Sequence, residues 1–218
     1  RIDRRRMICA TIDGVTIRYH HYDVRLADFL TAMRKAEMPA GRSARPSDLA
    51  AHGSPPGFEP RPGQPVTADR LFAAIDAFLT EDMVVLADVG DALFGGVDLR
   101  IRRPGGFLSA AYYSNMGFAV PGAIGVQIGN RRLRPIVLVG DGAFQMTGME
   151  LSTAARYGLS PLVIVLNNAG YATERFFLDG RFNDLQPWAF SRLGELFGGG
   201  IGFDVRTEDE LSAAIAKA

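Results

Sequence analysis

The sequence predicts an α/β fold, an open parallel sheet flanked by helices. Met83 to Ala87, Pro135 to Val139 and Leu162 to Leu166 are continuous apolar runs of strand length, the pattern of strands buried on both faces. Segments of helical periodicity alternate with them. The connections are short, which implies right-handed crossovers and helices on both sides of the sheet.

Taken in order, the chain opens Arg1-Ile2-Asp3-Arg4-Arg5-Arg6, with no initiator Met and no apolar signal region, as expected of a fragment. The arginines read as a solvated edge rather than a nucleic-acid patch. Met7 to Thr11 and Val15 to Tyr19 are β-prone runs around Asp13-Gly14, and Leu26 to Met38 reads as a helix, so residues 1–38 form a small first unit. Residues 39–65 are rich in Gly, Ser, Ala and Arg and contain seven prolines from Pro39 to Pro65, a composition that buries little and reads as a linker.

A second domain spans 66–218. Thr67 is placed to cap an amphipathic helix through Leu79, and the helical segments between and after the strands are Val120 to Gly129, Phe144 to Tyr157 and Trp188 to Phe197. Thr207-Glu208-Asp209-Glu210 has capping-box spacing, and its helix runs to Ala218, as it would if the domain were truncated at its C-terminus.

Composition excludes several classes. At 47 % hydrophobic and 22 % charged residues the chain is that of a globular protein, and 24 basic residues balance 24 acidic ones. No global field draws nucleic acid or an anionic membrane. No apolar run approaches the roughly 20 residues that span a bilayer. The single cysteine, Cys9, cannot pair within the chain, which fits a cytoplasmic location.

Ligands of open parallel sheets sit beyond the carboxyl ends of the strands. Two of those ends are polar: Gly140-Asp141-Gly142 closes one strand and Asn167-Asn168-Ala169-Gly170 closes another. A carboxylate, an amide oxygen and a backbone carbonyl are hard donors suited to Mg²⁺, which takes further oxygens from a phosphate. Gly142 would let the chain turn, through Ala143, into the helix over 144–157, and Ala143 is placed with it at the cofactor because free N–H groups at a helix start favour a phosphate. Each motif alone also reads as a plain turn or helix cap. Their pairing at two strand ends favours a metal and diphosphate site.

Gly140-Asp141-Gly142 followed at this interval by Asn167-Asn168 resembles the cofactor-binding motif of thiamine diphosphate enzymes. The resemblance implies that Asp141, the Asn168 side chain and the Gly170 carbonyl hold Mg²⁺, with Tyr171 following in the cofactor-binding segment. Asp88-Val89-Gly90-Asp91 is similar to the turn whose second acid, Asp91, approaches the diphosphate. Ser114-Asn115-Met116-Gly117-Phe118-Ala119-Val120-Pro121 is similar to the segment gripping the aminopyrimidine, with Met116 as the apolar wedge and the Ser114 carbonyl and Met116 amide as its hydrogen-bonding groups.

Downstream, Asn168 to Glu174, then Asp179 to Asp184 and Trp188, resembles the pyruvate and indolepyruvate decarboxylases. That likeness implies that Glu174 moves protons near the reactive carbon, an acid expected to be partly buried. It implies a pocket for the 2-oxo acid at Thr173 and Phe177, roomy enough for indolepyruvate or phenylpyruvate. Ile8 to Leu30 resembles the end of the middle domain of the same enzymes, so His20 and His21 are expected to be structural, and His52 lies in the linker.

The activating glutamate would come from the N-terminal pyrimidine-binding domain of a partner subunit, in a homodimer or homotetramer, so the chain alone is expected to be inactive. Competing readings are a carboligase of the acetolactate synthase type, disfavoured by Glu174 and Phe182-Asn183-Asp184, and a non-catalytic module that binds thiamine diphosphate. A Rossmann dinucleotide binder is disfavoured because no Gly-x-Gly-x-x-Gly follows the first strand.

Overall fold

The computed structural model describes residues 7–36 and 57–218. The opening arginines, positions 37 and 38 of the expected helix over 26–38, His52 and linker positions 39–56 lie outside the described residues. The chain divides between Ser54 and Pro55 into two compact units.

The first unit is an antiparallel meander, β1 (Ile8–Ala10), β2 (Val15–Ile17) and β3 (His20–Tyr22), followed by helix α1 (Leu26–Lys35). The second β run was expected to continue to Tyr19. Instead it turns at Arg18, in the left-handed region with φ 59°, and pairs Ile17 with His20. No Gly or Asn announces this tight hairpin, so local sequence gives no sign of it. His20 and His21 lie on the exposed third strand, where His21 Nδ1 is 3.0 Å from Thr16 Oγ1.

The second unit holds a four-stranded parallel sheet in the order β5-β4-β6-β7, with β4 (Met83–Ala87), β5 (Phe107–Ser109), β6 (Arg134–Gly140) and β7 (Leu162–Leu166). Successive side chains leave opposite faces of a strand, so one apolar run feeds two cores. Val85, Ala87, Ile136 and Leu138 pack with Ile75, Leu79, Ala92 and Leu99 beneath α2 (Ala68–Phe78) and α3 (Asp91–Gly96). Val84, Leu86, Val137 and Val139 pack on the other face against α4 (Ala119–Gly129) and α5 (Asp141–Thr147), through Val120, Ala123 and Phe144.

Two expected helices are shorter or broken. In place of one helix over 144–157 there is α5, a 3₁₀ turn at Gly148–Glu150 and α6 (Leu151–Arg156). The break follows the buried Phe144, whose ring occupies the space a Cβ on Gly148 would need. In place of a helix over 188–197 there is a 3₁₀ turn at Phe190–Arg192 and the four-residue α7 (Leu193–Leu196). Trp188 and Phe144 both pack on the Phe190 ring, while the Gly198 to Gly202 return presses on Ser191 and Gly194. Tertiary packing overrides helix periodicity at both places.

Residues 57–65, read as the end of the linker, are fastened to the second unit: Pro65 bridges Thr207, and the Arg61 N–H donates to Glu208 at 2.9 Å. Helix α8 (Glu208–Lys217) carries the expected capping box, with Thr207 accepting from the Glu210 N–H. Glu208 is buried and takes two hydrogen bonds from the Arg70 guanidinium on α2, at 2.8 and 2.6 Å. Those donors, and the Arg61 amide, hold its carboxyl down to about 2 from an ordinary 4.5.

A depressed folded-state value means that Glu208 stabilises the fold fully above about pH 4.5 and loses that contribution as pH falls toward 2. Glu208→Gln is therefore expected to lower Tm at pH 7, with the gap to wild type closing between pH 4.5 and pH 2. A Tm difference that stays constant across that range in thermal melts would refute the assignment. No helix among the described residues is long and apolar enough to cross a membrane.

Candidate functional site

β4, β6 and β7 are neighbours and run parallel, so the segments that follow Ala87, Gly140 and Leu166 emerge at one edge of the sheet. β6 passes into α5 with no intervening residue, which places Asp141 at the junction, 3 % exposed. Its Oδ1 accepts from the Gly142 N–H at 2.8 Å and its Oδ2 from the Gly170 N–H at 3.2 Å. Asp141 therefore ties the end of β6 to the turn after β7, the juxtaposition expected of Asp141 and Asn168.

In that turn Ala169 takes φ 59°, bringing Asn168 and Gly170 back toward Asp141. With its amide oxygen inward, Asn168 Oδ1 lies 2.7 Å from the Gly170 carbonyl oxygen and 3.3 Å from Asp141 Oδ1. No hydrogen lies between these three oxygens. Turned about, the amide nitrogen donates to both partners over the same distances. Octahedral Mg²⁺ holds oxygens at about 2.0–2.1 Å, so adjacent ligands stand about 2.9 Å apart, within the range of this cluster. The donor set is two neutral oxygens and one charged oxygen, and no group of three His, Cys, Asp or Glu side chains is close enough to hold a metal among the described residues.

Gly142 differs from expectation. It lies inside α5 rather than in a turn, and a Cβ there would fall 2.3 Å from the Tyr171 ring and 3.1 Å from Leu185. Its bareness admits Tyr171 against α5. Ala143, beside it, is buried in the core. Gly170 is similarly crowded, with the Asn183 carbonyl oxygen 2.5 Å and an Arg175 nitrogen 2.9 Å from where a Cβ would sit.

The loop from Gly170 to Asp184 closes on itself. Gly170 bridges Asp184, the Tyr171 N–H donates to the Asn183 carbonyl at 2.9 Å, and the buried Asn183 amide donates to the Leu178 carbonyl at 2.8 Å. Arg175 pins it by donating to Asp179 at 2.7 Å and Asp184 at 2.6 Å, which raises the guanidinium pKa and holds Asp179 below the usual carboxylate range. Glu174 opens a 3₁₀ turn in this loop and is exposed, not partly buried as expected. The Thr173 hydroxyl lies 3.6 Å from where a Cβ on Gly90 would sit, so the loop touches the turn after β4. Phe177 is 82 % exposed and does not narrow a pocket around Thr173.

Asp91 begins α3 after Gly90, whose φ of 84° only glycine adopts readily, and its side chain is exposed. Ser114, Asn115 and Met116 form an exposed turn, with Ser114 at φ 53° and Met116 37 % exposed. They make no hydrogen bond to the Asp141 cluster among the described residues. What brings their segment to the site is a residue given no role from sequence, Asp88, whose carboxylate accepts from the Phe118 and Ala119 N–H groups at 3.0 and 3.2 Å. Burial pushes its pKa up, and the backbone N–H groups of Phe118, Ala119 and Gly117 oppose that rise. An acid directly after an apolar strand was the available signal, the same one that singled out Asp141. Arg175 gave no clear signal, because its pairing with Asp184 depends on how the loop folds back.

Residues 88–218 match the family model described as thiamine pyrophosphate enzyme, C-terminal TPP binding domain. The chain is 37 % identical over its whole length to an indole-3-pyruvate decarboxylase of Azospirillum brasilense, of which it spans 40 %. It is 34 % identical to an alpha-keto-acid decarboxylase of Mycobacterium leprae, over 88 % of this chain and 34 % of that protein. It is 30 % identical to a probable pyruvate decarboxylase of Schizosaccharomyces pombe, again over 88 % of this chain and 34 % of that protein. The chain thus spans well under half the length of these relatives.

Proposed function

Because the chain belongs to the thiamine pyrophosphate enzymes through their C-terminal TPP-binding domain, we propose that it is the cofactor- and Mg²⁺-binding portion of a non-oxidative 2-oxo acid decarboxylase. One observation carries the metal reading: Asp141 Oδ1 and the Gly170 carbonyl converge on the Asn168 amide at 3.3 and 2.7 Å, so that with the amide oxygen inward three oxygens face one small hard cation. Asp141 supplies the charge, Asn168 and Gly170 the neutral donors, and Asp91 stands by the diphosphate. Ser114 and Met116 present backbone groups and an apolar contact to the aminopyrimidine.

When bound, the thiazolium supplies the electron sink for loss of CO₂ from a 2-oxo acid. Glu174 gives and takes the proton near the reacting carbon, a role suited to an acid held on a loop pinned by Arg175. Its present exposure requires a cover, which this reading assigns to the N-terminal pyrimidine-binding domain of a partner subunit in a homodimer or homotetramer. That domain would also supply the activating glutamate. The small Thr173 and the outward Phe177 leave space for an aryl side chain, and the indole-3-pyruvate decarboxylase relative favours an aromatic substrate. The first unit, residues 1–38, is then the end of a middle domain.

The assembled protein should bind thiamine diphosphate in calorimetry only when Mg²⁺ is present, lose it on addition of EDTA, and release CO₂ faster from indolepyruvate or phenylpyruvate than from pyruvate. Binding that ignores EDTA would remove the metal assignment. A preference for pyruvate would remove the aromatic substrate and leave the cofactor site standing.

A further inference from the structure

Asp88 is 1 % exposed at the carboxyl end of β4, and its own N–H still donates to the Leu138 carbonyl at 2.9 Å as part of the sheet. Both carboxylate oxygens are occupied, one by the Phe118 N–H and the other by the Ala119 N–H at the start of α4. No salt bridge to Asp88 exists among the described residues. A buried charge without a counter-ion is costly, and a Ser or Asn would cap the same helix without that cost.

The peptide just before is held from the other side. Gly117 has φ 85°, its carbonyl accepts from Thr147 Oγ1 at 3.0 Å, and a Cβ on it would fall 2.9 Å from Thr147 Cγ2. The Gly117–Phe118 peptide group is thus gripped at its N–H by Asp88, which follows β4, and at its carbonyl by Thr147 of α5. Met116 precedes it directly and is itself exposed. Gly90 and Asp91 follow Asp88 after Val89 alone, so the residue that anchors the Met116 segment also opens the turn assigned to the diphosphate.

We infer that Asp88 and Thr147 are positioning residues that set the Met116 segment in register with the diphosphate side of the site, so that one rigid cofactor can engage both. This inference rests on the cofactor reading above. It separates two ligands: inorganic pyrophosphate with Mg²⁺ uses only the diphosphate side, whereas thiamine diphosphate with Mg²⁺ needs both.

Calorimetry of both ligands on wild-type, Asp88→Asn and Thr147→Val forms of the full protein tests it. Asp88→Asn should weaken thiamine diphosphate about tenfold or more, the scale of a lost hydrogen bond to a charged group, and Thr147→Val about fivefold, the scale of a neutral one, each leaving Mg²⁺-pyrophosphate within about twofold. Equal weakening of both ligands, or of neither, would show that the contacts only hold up the fold. Should Asp88→Asn not fold, Thr147→Val, which removes only one hydroxyl, decides alone. A wild-type protein that binds neither ligand overturns the cofactor reading, and this inference with it.

Discussion

Asp141→Ala is expected to abolish Mg²⁺-dependent binding of thiamine diphosphate, raising Kd by about 100-fold or more, since even groups one step removed from a metal cost about 10- to 100-fold. The physical ground is that Asp141 is the charged member of its oxygen cluster; Asn168 and the Gly170 carbonyl are neutral. Alanine also strips the acceptor from the Gly142 and Gly170 N–H groups, so part of the loss would come from a loosened turn. Asp141→Asn removes the charge and keeps the shape, but its amide offers one acceptor where the Gly142 and Gly170 N–H groups use two, so the turn is loosened there as well. Compared at a temperature where both variants are folded, each should bind the Mg²⁺ complex far more weakly than wild type. Unchanged affinity in Asp141→Ala would remove the metal site from this part of the sheet.

Glu174→Gln should lower kcat on 2-oxo acids in the assembled protein by about 10²- to 10³-fold, within the span typical of a lost acid or base. Cofactor affinity should not change, because Glu174 makes no hydrogen bond to Asp141, Asn168 or Gly170 among the described residues. The exposed side chain has no packing role whose loss would confuse the result. Steady-state kinetics paired with calorimetry read both quantities. A kcat within threefold of wild type would strip Glu174 of its role and reopen the carboligase alternative.

The sheet was legible where a strand is one continuous apolar run, whether fully buried as in β4 or half-buried at the edge as in β7. β4 and β7 coincide with the apolar runs Met83 to Ala87 and Leu162 to Leu166, and β6 extends its run by one residue at each end. Short elements were not legible. β5 has three residues, and α3 contains Gly95 and Gly96, poor helix formers retained because the Phe72 ring lies on Gly95 and Phe107 against Gly96. The same distinction runs through the site. Asp141 and Asn168 come together because strand order alone brings two polar strand ends into register, whereas the Gly142–Tyr171 contact, the Arg175 pin and the exposure of Glu174 depend on how a long loop folds back. Periodicity carries no information about such a return path.

The direct passage of β6 into α5 at Gly140–Asp141 has a thermodynamic consequence. A carboxylate anchored between a central strand and a helix, without a hinge, has no freedom left to surrender when a ligand arrives. Asn168 and Gly170 stand on the other side, in a turn after the edge strand β7. On the proposed reading the two halves of one ion site are thus unequal: Asp141 is held by a strand and a helix, Asn168 and Gly170 by a loop. On the same reading, cofactor binding would act on the segment from Asn168 to Asp184, which also carries Glu174 and Thr173, so that loading the cofactor would also ready the loop that meets the substrate.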